Sequence, residues 1–430
     1  MKSITSRKYL IPFVLVTCLF FLWGFARAIL DVLNKHFQDT LNVDITQSAM
    51  IQVVTYLGYF LMAIPAGMFI NRFGYRKGVV FGLSLFAAGA FLFIPSADAG
   101  TLNAFLGCLF IIACGLAFLE TSANPYATQL GSPDTATSRL NLSQSFNGMG
   151  SFLAPFIVGG FLFSGDEGAE ADVSLPYLIM GIVVVVIAVI FSIVKLPEIE
   201  VQKEETGTDD AAVASTATQP KPSSWQSLKA LFSASQNKKL GLACPFLLAL
   251  SALLCYEIGE ISINSYFVNF TTDMGLLEPS LASKILGLAL VVFMVGRFLG
   301  SALMLVIRPA MMLLICASGS LICMAVVLLF GNMAQGGSAW AGTASLVFLI
   351  LNYLFESIMF PTIFSLALRS LGVHTKTASS LLMMTPVGGC FFLLVAWMAD
   401  HTTPVTPFVI PLLSFLVVWI FAWRCTRSHK

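Results

Sequence analysis

The sequence predicts an all-α membrane protein, with twelve spanning helices in two pseudo-symmetric six-helix bundles. Three observations predict it. Of the 430 residues, 57% are hydrophobic and only 10% charged, whereas a soluble domain carries about 25% charged residues. The apolar residues gather into twelve runs, each near the ~20 residues that a bilayer core requires. A polar stretch from Pro197 to about Pro222, rich in Glu, Asp, Lys, Thr, Ala and Pro, divides those runs six and six and has too little apolar surface to fold.

The twelve runs cover residues 9–33, 47–70, 78–97, 102–126, 140–163 and 177–194, then 240–267, 285–307, 310–330, 343–368, 378–398 and 405–423. The expected organisation is a first bundle over 1–195, a cytoplasmic linker over 196–238 and a second bundle over 239–430. A net charge of +1 argues against nucleic acid as a partner. Eight of the nine cysteines sit in apolar runs, with no CxxC or Cys/His spacing. They read as small buried hydrophobes rather than metal ligands or disulfides.

Span one follows Lys2, Arg7 and Lys8, and Ala26-Arg27-Ala28 fits a small-x-small cleavage pattern. Arg27 and Asp31 beside that site argue against a signal peptide, and losing the run would leave eleven spans. Of the 23 Lys and Arg, 19 fall on one side if the N-terminus is cytoplasmic, and the opposite loops hold only Lys35 and Lys284. The positive-inside rule therefore places both termini in the cytoplasm.

Five acids lie inside apolar runs: Asp31 in span one, Glu120 in span four, Glu257 and Glu260 in span seven, and Glu356 in span ten. An ionisable group in hydrocarbon costs several kcal/mol, about 2.5–3.5 on insertion scales, so it faces a wet cavity and carries function. Their spacing of three spans points to a cavity-lining set of helices in a repeat protein. Arg27 lies one turn before Asp31 and can pair with it. No basic residue lies within a turn of Glu120. An apolar setting disfavours its charged form, which suits a carboxyl that loads and releases a proton. Asp31 and Glu120 are expected more than ~10 Å apart in depth, as two stations along a path.

In span five, Asn141, Gln144 and Asn147 recur every third residue and share one helix face. Amides both donate and accept, which suits sugar hydroxyls; helix–helix hydrogen bonding is the competing reading. In span seven, Glu257 and Glu260 are close enough to repel, so one is expected to be neutral or to face Arg297. Trp23, Tyr126, Tyr256, Tyr266 and Tyr353 supply aromatic faces in the acid-bearing spans. The turn after span two, Asn71-Arg72-Phe73-Gly74-Tyr75-Arg76-Lys77-Gly78, suits a tight connection whose cations meet helix C-termini.

The two sets of spans also share a local pattern. Span four carries Leu119-Glu120-Thr121-Ser122-Ala123-Asn124-Pro125, and span ten carries Phe355-Glu356-Ser357-Ile358-Met359-Phe360-Pro361. Each has an acid five residues before a proline in the corresponding span, which supports a parallel repeat with a site between the halves.

With Phe20-Phe21-Leu22-Trp23, Arg139-Leu140-Asn141-Leu142, Gly296-Arg297-Phe298 and Pro361-Thr362-Ile363-Phe364-Ser365-Leu366, these blocks closely resemble the fucose–proton symporter family of the major facilitator superfamily. The resemblance covers nearly the whole chain outside the linker. It implies a non-enzymatic transporter of the inner or plasma membrane that imports one sugar with one proton by alternating access, without a cofactor beyond the coupling proton. L-fucose is the first candidate, with glucose/galactose and N-acetylglucosamine as alternatives in the same family; a cation or drug exporter is the reading from another class. The implied partners are a monosaccharide, a proton and the bilayer, with the chain acting as a monomer. Glu120 and Asp31 match the family's proton and substrate stations, and Gln144 and Asn147 match amides lining its sugar cavity. Asn141, Glu260, Glu356, Arg27 and Trp23 complete the candidate substrate-binding set.

The chain departs from the pattern at several places. Asn71 stands where the superfamily turn usually has Asp, and Arg27-Ala28-Ile29-Leu30 replaces an Asn-rich stretch. Phe360 replaces a tenth-span Tyr, and Glu356 stands where an uncharged residue is expected. Tyr256, Gly259 and Glu260 look more like the glucose/galactose branch.

Overall fold

In lipid the backbone must satisfy its own hydrogen bonds, so each apolar run becomes a helix. The computed structural model describes residues 4–41, 45–99, 101–162, 174–194, 231–232, 246–369, 371 and 374–427. The helices are α1 (Leu10–Leu41), α2 (Ile45–Phe73), α3 (Tyr75–Ala99), α4 (Leu102–Gln129), α5 (Ala136–Leu162), α6 (Ser174–Ile193), α7 (Phe246–Asp273), α8 (Pro279–Leu303), α9 (Pro309–Gln335), α10 (Ala339–Glu356), α11 (Met359–Leu368), α12 (Thr375–Leu382), α13 (Phe392–His401) and α14 (Val409–Arg427). The tenth span is α10 followed by α11, and the eleventh is α12 and α13 joined by a 3-10 stretch over Thr385–Phe391.

Among the described residues ten spans are long and apolar enough to cross a membrane. The more polar α5 and the shorter α6 bring the number to twelve. All but two of the linker residues 196–238 lie outside the described residues, so the expected domain boundaries there are not visible.

The apolar runs of spans ten and eleven carry no mark of an interruption, and the helix is interrupted within each span. Pro361 lacks an N–H and its ring crowds the carbonyl four residues back, that of Ser357; the helix breaks over Ser357 and Ile358. In span eleven Pro386, Gly388 and Gly389 fall in the 3-10 stretch.

α6 shows how the pattern of burial meets lipid. Ile179, Ile182, Val183, Val186, Val189, Ile190 and Ile193 are exposed, while Met180, Val184 and Phe191 are buried against the protein. That stripe of β-branched side chains follows the helical period. By contrast α4 is buried on all sides from Ile112 through Ala127, and α11 is buried at every residue except Leu366. Small residues such as Ala113, Gly115 and Ala117 let neighbouring helices close around α4. The two acid-x4-Pro blocks therefore lie on thoroughly enclosed stretches.

With twelve spans, both chain ends emerge on one side, here termed the terminal face. Odd-numbered spans begin there and even-numbered spans end there. Gly74 alone joins α2 to α3 and takes φ of 87°, a conformation costly for any residue with a Cβ. As expected for this turn, a cation meets a helix C-terminus: Arg76 Nε donates to the Phe191 carbonyl at 3.0 Å, and its Nη2 donates to that of Ser192, both at the end of α6. A second cation comes from the other half, where Lys376 Nζ donates to the Ile70 carbonyl at 3.1 Å near the end of α2. Arg139 is fully buried and gathers the carbonyls of Ala127, Thr128, Ser132 and Ile4, tying the N-terminal segment to the end of α4.

At the terminal face α2 approaches α12 so closely that a Cβ on Gly67 would lie 1.5 Å from Ser380 Oγ. Gly67→Val is expected to destabilise this closed arrangement by about 1–3 kcal/mol through overpacking. Spin labels on Arg72→Cys and Arg369→Cys, in a background lacking the native thiols, should then report longer distances than with Gly67 present. An unchanged distance distribution would show that the contact does not hold this end shut.

Candidate functional site

Pro125 lies inside α4 without breaking it. Like Pro361, it deprives the carbonyl four residues earlier of its helical donor. In α4 that carbonyl belongs to Thr121, and it accepts from Ser379 Oγ of α12 at 3.3 Å. In the tenth span it belongs to Ser357, and it accepts from Arg297 Nε of α8 at 2.8 Å. The acid-x4-Pro repeat thus does the same thing twice: it places a buried acid next to a carbonyl released for use by another helix.

Arg297 extends the second of these bonds across the molecule. Its Nη1 donates to the Gln144 backbone carbonyl at 3.1 Å and approaches the Gln144 side-chain oxygen at 3.4 Å. Gln144 Nε2 donates to Asn124 Oδ1 at 3.0 Å, and Asn124 Nδ2 points at Met383 Sδ at 3.4 Å. A continuous chain of contacts therefore runs from Ser357 through Arg297, Gln144 and Asn124 to Met383, just after α12, crossing between the first six spans and the last six twice.

Further bonds between the two sets, among the described residues, lie on the terminal-face side of this chain. Ser138 and Ser301 donate to each other's backbone carbonyls at 2.7 and 2.9 Å. Thr137 meets Ser365 at 2.8 Å, Asn141 Nδ2 reaches Thr362 Oγ1 at 3.3 Å, and Asn71 Nδ2 reaches Thr377 Oγ1 at 3.3 Å. Gln144 is eight residues into α5, about 12 Å from its start at 1.5 Å per residue. The structure is therefore sealed at the terminal face to about that depth.

Just beyond the seal lies Glu120, 3% exposed, whose Oε1 accepts from the Tyr59 hydroxyl of α2 at 2.7 Å. Asn124 is one turn further along α4, on the same face. The first acid site thus consists of Glu120 and Tyr59 with the Asn124–Gln144 amide pair one turn away.

The other sequence candidates are placed as follows. Gln144 is 3% exposed and belongs to the chain above. Asn147 Nδ2 donates to the Phe20 carbonyl at 3.1 Å, linking α5 to α1. Asn141 is fully buried in the seal, closer to the terminal face than Glu120. Trp23 is 6% exposed, packs against Phe20 with ring centroids 5.5 Å apart, and its indole N–H has no hydrogen-bond partner. Asp31 and Arg27 lie on α1, but their side chains fall outside the described residues, so the Arg27–Asp31 pair and its separation from Glu120 are not visible. Glu257 is buried and Glu260 half-buried on α7. Arg297 spends its guanidinium on carbonyls and on the Phe293 ring, 4.4 Å away, rather than pairing with either of them. Glu356 is fully buried at the end of α10, where Asn352 Nδ2 donates to its Oε2 at 2.7 Å.

Sequence reasoning missed Tyr59 because it weighed aromatic residues only in acid-bearing spans. The polar ring pair Tyr56 and Tyr59, three apart in span two, was the available signal. Asn124 was quoted within its block without a role, and nothing in the sequence distinguishes it from the neighbouring Ser122.

A family model described as the Major Facilitator Superfamily matches residues 16–394. The chain belongs to the Major Facilitator Superfamily. Among the relatives of this transporter, a glucose/galactose transporter of Brucella abortus is 34% identical over 99% of this chain and 97% of its own length. An L-fucose-proton symporter of Escherichia coli is 32% identical, over 97% and 93% respectively. The solved structure of the superfamily transporter FucP in the outward conformation matches with a TM-score of 0.79 at 32% identity, covering 97% of this chain and 99% of that one. This superfamily member is likewise an all-helical, multi-pass membrane transporter and not an enzyme.

Arg297→Lys keeps the charge but gives up the fork that reaches Ser357 and Gln144 together. A hydrogen bond to a charged group contributes about 1.5–3 kcal/mol, so the variant should melt at a lower temperature in detergent and transport more slowly. A melting temperature and rate equal to wild type would remove Arg297 from the seal.

Proposed function

We propose that this transporter imports a neutral monosaccharide together with a proton by alternating access. Glu120 carries the proton, Asp31 senses substrate, and Gln144, Asn147, Asn124 and Trp23 offer polar and aromatic contacts to the sugar. The observation that carries this reading is Glu120: a buried carboxyl held by Tyr59, one turn from an amide pair that bridges the two sets of helices. Both relatives above carry sugar transport in their names, and they divide between glucose/galactose and L-fucose. The two six-span sets, 1–195 and 239–430, are the rocking units, the intervening linker and both termini are cytoplasmic, and the chain works as a monomer in the inner or plasma membrane.

Two features of the site fit this mechanism. Gln144 belongs both to the amide pair near Glu120 and to the Arg297 bridge. A ligand that draws on the Gln144 side chain therefore competes with the bridge that keeps the terminal face shut. The proton on Glu120 removes a buried charge, which lowers the cost of enclosing the site during the turn.

The test is uptake of labelled L-fucose, D-glucose, D-galactose and N-acetylglucosamine into proteoliposomes, with and without an inward proton gradient. At least one sugar should accumulate only with the gradient; uptake that ignores the gradient for every sugar removes proton coupling. Glu120→Gln, neutral and isosteric, should abolish uphill accumulation while exchange of labelled for unlabelled sugar persists. Asp31→Asn should weaken sugar binding by about ten- to a hundred-fold, the value of a lost hydrogen bond to a charged group. Unchanged affinity and flux would assign Asp31 to structure.

A further inference from the structure

Glu356, in the last six spans, is a buried acid that the Glu120 site does not use. Glu356 is 0% exposed, and only one of its carboxyl oxygens has a protein partner. Its Oε1 makes no hydrogen bond to the protein. The hydroxyls of Tyr256 on α7, Ser320 on α9 and Tyr353 on α10, and the Asn352 side-chain oxygen, are also fully buried and also without partners. Four of these atoms, on Glu356, its helix neighbours Asn352 and Tyr353, and Tyr256, belong to one group, whereas the large majority of buried polar side-chain atoms are hydrogen-bonded.

The groups around Glu356 come from α7, α8 and α9 as well as from α10. Glu260 of α7 and Arg297 of α8 are the charged residues that act on it. Tyr256, Tyr353 and Cys323 lie within reach of its field, and Glu257 acts on Tyr256 in turn. Arg297, the one cation of the group, is committed to the Ser357 carbonyl and to Gln144. An ionised carboxylate enclosed in this way without a paired cation costs several kcal/mol. A bound proton removes that cost.

Location gives the acid a way to let the proton go. Glu356 is the last residue of α10, immediately before the break over Ser357 and Ile358. The carbonyl next to it is the one that Arg297 holds. Arg297 also bonds Gln144 of the other half, so it spans the seam that opening of the terminal face would part.

We propose that Glu356, with Asn352, Tyr256 and Tyr353 around it, is a second proton-binding site of this transporter, loaded while the terminal face is sealed and unloaded when it opens. On opening, the carboxyl O–H bond breaks, the proton passes to water, and the carboxylate that remains takes Arg297 as its counter-charge. On closing, the carboxylate takes a proton back from water and Arg297 returns to Ser357 and Gln144. This inference rests on the proton-coupled reading above and adds a second proton-carrying group to it.

Two measurements on the full-length protein test it. The first is infrared spectroscopy of purified protein at neutral pH, without substrate. Wild type should show a protonated-carboxyl band that is missing in Glu356→Gln; if no band is lost, the proposal fails, whatever the protein transports. The second counts protons moved per sugar in proteoliposomes, using a pH-sensitive dye and whichever labelled sugar wild type accumulates. Glu356→Gln should move fewer protons per sugar than wild type. An unchanged count alongside a lost band would make Glu356 a permanently neutral structural acid and overturn its unloading. Should wild type accumulate no sugar, the proton-coupled reading falls and this one with it, even with the band present. Where Glu356→Gln does not fold, Tyr353→Phe keeps the acid and removes one neighbouring hydroxyl. The pH at which the band disappears should then move, and a fixed titration would overturn the site.

Discussion

Two backbone carbonyls, of Thr121 and Ser357, organise this molecule. Each loses its helical donor to a proline four residues later, and each is buried where water cannot replace that donor. A buried carbonyl left unpaired costs about 1–3 kcal/mol, so another helix must supply the missing hydrogen. Ser379 does so for Thr121 across the boundary between the two sets of spans. Arg297 does so for Ser357 and then reaches over the same boundary to Gln144. Satisfying these atoms links α4 to α12, and the break before α11 to α8 and α5. Because each proline follows an acid by five residues, the same constraint fixes Glu120 and Glu356 beside the junction.

Much of this architecture was legible in the sequence. Twelve apolar runs specified twelve spans because lipid permits few alternatives for a backbone without water. The paired acid-x4-Pro blocks marked the corresponding spans four and ten, and both proved to be enclosed stretches. The turn after span two was readable from Gly74 and its cations. Helix interruptions were less legible: Pro125 leaves α4 continuous and Pro361 breaks its span, although each proline follows its acid at the same spacing. Both released carbonyls find a donor on another helix, and a single sequence does not contain those partners.

The candidate site divides in the same way. Periodicity placed Asn141, Gln144 and Asn147 on one face of α5, yet they do three different jobs. Asn141 belongs to the seal through Thr362, Gln144 joins Asn124 and Arg297, and Asn147 bonds the α1 backbone. Three residues at equal spacing look equivalent until the neighbouring helices are known. Tyr59 shows the converse: its sequence context is an ordinary apolar helix, and only the packing of α2 on α4 turns it into the partner of Glu120. For the Glu257 and Glu260 pair the sequence left two readings, one acid neutral or one facing Arg297. A carbonyl without a donor made the stronger claim on it.

The Ser138–Ser301 contact carries one further implication. Two short hydroxyl side chains reach each other's main chain, with neither charge nor long side chains involved. When such a seam parts, each lost bond is exchanged for one to incoming solvent at little net change in free energy. Separation then proceeds by stepwise wetting, like a zip, and few side-chain torsions need to be frozen again when it recloses. A gate built this way trades tenacity for speed, which is the property a carrier needs if it must cycle for every molecule it moves.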